Sequence, residues 1–165
     1  MQKIWIRLAM FLAIAFLFQS LRLLLPMIPG PVNMFLIGSL LNTVMVLSIW
    51  YTKNYWAAVI GGLLPLGAFF QGQLPIAWMV PVVAWGNMAL IVWAGAFRHK
   101  RLLYLGPVVK MVLLYGGTQW VLQMMKIPEP MQVVMLFMMS WPQLVTAMIG
   151  IVLAKQILQK YPPVV

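Results

Sequence analysis

The chain has 165 residues, 64% of them hydrophobic and 7% charged, with eleven Lys/Arg against one acid and a net charge of +10. An ordinary soluble domain carries about 25% charged residues, and so few charges cannot keep the surface of a chain this size wet. A water-soluble globular domain is therefore excluded, and so is disorder, which requires low hydrophobicity. What remains is a polytopic membrane protein.

In so apolar a chain the excess positive charge reads as a topology signal and as contact to anionic lipid headgroups, not as a nucleic-acid footprint. The catalytic inventory is thin. There is no Cys, and His99 and Glu129 stand alone in their classes. Thiolate metal sites, His-rich metal sites and carboxylate pairs all lack their parts. No G-x-x-x-x-G-K-[ST] run occurs, so this chain holds no P-loop for ATP. The expectation is a non-catalytic protein with no metal and no cofactor.

A membrane span needs about 20 mostly apolar residues. Six candidates follow along the chain, at about 4–25, 33–52, 55–70, 76–97, 102–125 and 131–158. The first begins as a signal peptide does, with a basic start, but its apolar run is long and no small-residue cleavage site follows, so it reads as a helix. The third is short and contains Gly61, Gly62 and Pro65; the sixth has Pro142 in its middle. Kinks are expected near Pro65, Pro81, Pro107 and Pro142. The predicted fold class is an all-α integral membrane protein, one compact domain over residues 1–165 with six transmembrane helices.

The basic residues set the orientation. One side of such a bundle receives Lys3, Arg7, Lys53, Arg98, Lys100, Arg101, Lys155 and Lys160; the other receives Arg22 and Lys126, and Lys110 falls within the fifth span. The crowded side is expected to be cytoplasmic, which places both termini on the cytoplasmic side of the cell membrane. The run from Arg98 to Arg101 reads as a topology anchor, and Trp5, Trp50 and Trp56 read as interface anchors. Methionine, fifteen residues in all, is read as adaptable packing.

Polar groups at membrane depth are costly and so mark candidate sites. Toward the outer side the sequence offers Gln19, Ser20, Arg22, Asn33, Gln71, Gln73, Trp78, Trp85, Asn87, Gln132, Trp141 and Gln143. Tyr115, Gln119 and Gln123 follow at i, i+4, i+8 and share a helix face. The favoured binding set is Arg22, Gln71, Gln73, Trp78, Asn87, Tyr115, Gln119 and Gln123. Amides, rings and one guanidinium suit a neutral or anionic small organic molecule, held by stacking and hydrogen bonds under the Gln71–Pro75 loop. The competing reading of each amide is interhelical glue. Lys110 lies roughly 12 Å into its span at 1.5 Å per residue. It is read as structural, either snorkelling inward or bonding carbonyls freed near Pro107.

Small residues at spacings of four let helices approach closely. They occur at Ala9/Ala13, Ala57/Gly61, Ala58/Gly62 and Gly150/Ala154. A transporter also needs energy. This chain has neither a nucleotide motif nor an acid or His at membrane depth, so the energy must arrive through a partner or transport must be passive.

On these features the chain resembles the substrate-binding S components of energy-coupling factor transporters. The resemblance spans nearly the whole chain. It rests on size, topology and Ala9-x-x-x-Ala13, with segments similar to family members at Gly38-Ser-Leu-Leu-Asn42, Gly61-Gly-Leu-Leu-Pro65, Trp85-Gly-Asn87 and Ser140-Trp-Pro-Gln-Leu144. It implies vitamin or micronutrient capture at the outer face, under loops at 26–32, 71–75 and 126–130. It implies docking of the Ala9/Ala13 face on a membrane coupling subunit driven by two ATPases. The N-terminal His segment of metal-specific members is not found, which argues against nickel or cobalt as cargo. A ligand-free membrane scaffold or assembly protein is the runner-up, followed by a passive small-solute channel.

Overall fold

The computed structural model describes residues 2–24 and 29–163. They form α1 (Gln2–Leu24), α2 (Gly30–Thr52), α3 (Ala58–Phe70), α4 (Met79–Ala96), α5 (Gly106–Met125), α6 (Glu129–Met138) and α7 (Trp141–Lys160). Single 3-10 turns at Tyr55–Ala57 and Arg101–Leu105 lead into α3 and α5. No strand occurs among the described residues. Two helices, α1 and α2, are each long and apolar enough to cross a membrane, as are α4 and the stretch Glu129–Lys160. The outward faces carry Leu17, Phe70, Trp85, Val112 and Val133, all well exposed, as lipid contact requires. The fold is thus an all-helical bundle compatible with a membrane.

Several expected boundaries move for identifiable reasons. The sixth span, expected as one kinked helix, is two helices separated at Met139 and Ser140. Pro142 lacks an N–H and its ring meets the carbonyl four residues back, so the chain restarts there with Pro142 in the first turn of α7. Pro107 and Pro81 likewise stand in the first turns of α5 and α4, where their missing N–H groups cost nothing, and do not interrupt either helix. Pro65 is the one of the four inside a helix. The expected loop at 26–32 is shortened, because α2 already includes Gly30 to Val32, and residues 25–28 lie outside the described ones.

The second helix organises the rest. It carries thirteen buried residues, against three on α1. It packs most extensively on α7, then on α1, and crosses to α4; α3 lies on α4, and α4 on α5. Glycine sets two of these approaches. A Cβ on Gly150 of α7 would stand 2.6 Å from the Asn42 Cβ and 3.0 Å from the Thr43 nitrogen of α2. One on Gly61 of α3 would stand 2.9 Å from the Met88 nitrogen of α4. Ala57 and Ala154, the partners of these glycines in sequence, are fully buried. Ala9 and Ala13, by contrast, are exposed on α1.

One end of the bundle is tied together by its basic and aromatic residues. Trp50 Nε1 donates to the Ala94 carbonyl at 2.8 Å, and Arg98 lies over the Trp50 ring at 5.7 Å. Lys155 donates to Tyr104, Arg7 reaches the Tyr51 carbonyl, and Tyr51 donates to the Tyr161 carbonyl. Trp5 and Trp56 are exposed as interface anchors should be, but Trp50 is 1% exposed and belongs to the core.

Because the Gly150 contact is with backbone and Cβ atoms, it has no flexible side chain to give way. Gly150→Leu is expected to force α2 and α7 apart and to destabilise the protein by about 1–3 kcal/mol. Thermal unfolding in detergent measures this, with Gly116→Ala, where a Cβ meets open space, as the comparison that is not destabilised.

Candidate binding cavity

A cavity of about 220 Å³ opens within the end of the bundle opposite the basic cluster. At roughly 30 Å³ per water, that is space for on the order of seven waters. It lies where two buried clusters meet. Met45 and Leu64 belong to the one near Trp50, and Leu74, Met79, Met135 and Met139 to the one near α5 and α6.

Its floor is polar. Lys110 comes from the second turn of α5 and is 3% exposed. Its Nζ donates to Asn42 Oδ1 at 2.7 Å. Asn42 Nδ2 donates to the Gly38 carbonyl at 2.8 Å and to Thr146 Oγ1 at 3.3 Å. Thr146 donates to the Gln143 carbonyl at 3.2 Å, and Gln143 Nε2 to the Met138 carbonyl at 3.0 Å. This chain of bonds runs from α5 through α2 to the separation between α6 and α7.

One wall is methionine. Met34, Met45, Met79, Met131, Met135, Met138 and Met139 line the space, seven of the fifteen in the chain. Unbranched thioethers fit ligands of varied shape. Four lining positions of α6, namely Met131, Val134, Met135 and Met138, recur at i, i+3, i+4, i+7, so this short helix presents one face to the cavity. Its neighbours are α5 and α7.

A polar latch closes the side between α1 and α3. The amides of Gln19 and Gln71 meet at 3.2 Å, and Gln71 Nε2 donates to Ser20 Oγ at 3.1 Å. Gln73 Nε2 donates to Gln71 Oε1 at 2.7 Å and to the Gln19 carbonyl at 3.3 Å. Gly72 adopts φ +69 between the two, a left-handed turn that glycine takes without a Cβ clash.

Of the eight residues favoured on sequence, Arg22, Gln73 and Asn87 line the cavity, and Gln71 holds the loop beside it. The other four lie elsewhere. Trp78 is exposed and borders a shallow outer groove with Trp85 and Trp120. Tyr115, Gln119 and Gln123 do share a face, but it is an exposed face of α5; the face turned inward carries Lys110, Leu114, Thr118, Val121 and Leu122. Asn42 and Thr146 are not among the residues favoured on sequence, and Lys110, expected either to snorkel inward or to bond carbonyls freed near Pro107, instead meets an amide of α2. The one signal that pointed to the floor was the cost of placing Lys110 at membrane depth.

No family model, no curated protein and no solved structure matches this chain.

Gln71 is the hub of the latch. Gln71→Leu is expected to lower stability by about 1–3 kcal/mol, from the loss of several hydrogen bonds worth about 1 kcal/mol each. Gln119→Leu and Gln123→Leu, on the exposed face, are expected to stay within about 0.5 kcal/mol of the parent. Thermal melts of the purified variants decide both.

Proposed function

We propose that this chain is the substrate-capture subunit of an uptake transporter of the energy-coupling factor kind. It takes a small organic molecule into the cavity from the outer face. A membrane coupling subunit and two ATPases then supply the energy that the chain itself has no motif to provide. The observation that carries this reading is the cavity at the end opposite the basic cluster, lined by the hydrogen-bonded Lys110 and Asn42 and walled by adaptable methionines. In this reading there are six spans, the last made by α6 and α7 together, with the basic end and both termini cytoplasmic.

Two further features support it. The segments behind the family resemblance converge on the cavity: Gly38 and Asn42, Leu64 and Pro65, Asn87, and Gln143 all line it. The small-residue pairs also divide. Gly61 and Gly150 are used in contacts within the bundle, whereas Ala9 and Ala13 remain on an outward face of α1. Such a face allows a second backbone to come close.

Bulky replacements at Ala9 or Ala13 are therefore expected to leave melting temperature and ligand retention unchanged while abolishing co-purification with the coupling subunit and ATPases. Loss of the fold in Ala9→Trp or Ala13→Trp, or an intact complex in both, contradicts docking on this face. Orientation is tested separately in this naturally Cys-free chain. Single cysteines at positions 3, 99 and 160 are expected to react only after the cells are opened. Reaction with an impermeant thiol reagent on intact cells contradicts cytoplasmic termini.

A further inference from the structure

We infer that the floor of the cavity is a seat for the anionic group of the ligand, a carboxylate or phosphate, with Lys110 as its receptor. The inference rests on the capture reading above and names the chemical class of the cargo.

An ammonium group brings three N–H donors and a full charge. Lys110 is buried, yet among the described residues one acceptor meets it, the neutral Asn42 Oδ1. Taking an ammonium out of water costs several kcal/mol, and an anion at contact distance offsets that cost best. Among the described residues no anion meets it. Its single acid, Glu129, is exposed in the first turn of α6 and does not line the cavity. Arg22 adds a second cation to the lining from the end of α1, again with no acid beside it on the cavity wall.

The surroundings fit an anion in other ways. Asn42 is fixed by Gly38 and Thr146, so it orients the ammonium without neutralising it. The methionine wall accepts an apolar body attached to the charged group. Phospholipid headgroups and free organic anions share this chemistry, and the test separates them.

The wild type, Lys110→Met and Asn42→Asp are reconstituted in phosphatidylcholine nanodiscs. Melting temperatures are followed against hexanoate, hexyl phosphate and neutral hexanamide. The anionic probes are expected to stabilise the wild type and hexanamide is not. Lys110→Met should weaken the anions about 10-fold or more, as expected for losing a hydrogen bond to a charged group. Asn42→Asp should place a carboxylate from the chain itself on Lys110. Because Asp cannot donate to the Gly38 carbonyl as the Asn42 amide does, its own melting temperature is not the readout; it is expected to lose the response to anions. This variant keeps the test sharp if Lys110→Met folds poorly.

In phosphatidylglycerol nanodiscs, a hexanoate response as large as in phosphatidylcholine assigns the seat to a free solute. A wild type already stabilised there, with Lys110→Met unaffected, assigns it to a lipid headgroup. Either supports an anion seat. Equal anion responses in all three proteins place the anion on the basic surface and overturn the inference. A wild type stabilised as well by hexanamide, or by none of the probes, also overturns it. Hexanamide binding leaves the capture reading standing, whereas failure of that reading shows as no small molecule accompanying the purified protein.

Discussion

Much of this structure depends on how closely α2 approaches α7. Gly150 leaves no side chain between them, so the α2 backbone at Asn42 and Thr43 sits directly against it. That contact carries Asn42 to the middle of the bundle, within reach of Thr146 on one side and Lys110 on the other. Three helices are joined at one amide. The bond to Lys110 gives this buried amine its partner among the described residues, and both residues line the cavity.

Four other buried hydroxyls are satisfied locally. Thr43, Thr52 and Thr118 each donate to the carbonyl four residues back, and Ser48 to the one three residues back. They join no helices and shape no site. At the cavity end, the polar groups that cross between elements fall into two layers, the latch of Gln19, Gln71 and Gln73 and the floor of Lys110, Asn42 and Thr146. The cavity touches both. Its end of the bundle is roofed by the short α6, whereas the opposite end is tied by Trp50, Arg98, Tyr51 and Tyr161.

The apolar runs and charge pattern made most of the helices legible in the sequence, because hydropathy and helix length are set by the same bilayer dimension. Proline was harder to read. Pro81, Pro107 and Pro142 look like kinks when each apolar run is taken as one helix, but a proline in a first turn starts a helix instead of bending it. The site was half legible for a similar reason. The i, i+4, i+8 spacing of Tyr115, Gln119 and Gln123 shows that they share a face and is silent on which way the face points. On α5 the inward face is set by Lys110, Leu114 and Thr118, and only packing reveals it. Asn42 gave no signal alone, since its role comes from Gly150 and Lys110, both more than 60 residues away in the chain.

The proposed function requires that the cavity hold a small molecule. Mass spectrometry of solutes released on denaturing the protein, after purification in mild detergent, tests it most directly. The wild type is compared with Met135→Trp, whose larger ring fills the space beneath α6. One organic molecule near a one-to-one ratio is expected in the wild type, lost from the variant. No molecule above trace in the wild type, or the same molecule retained by the filled cavity, would contradict it.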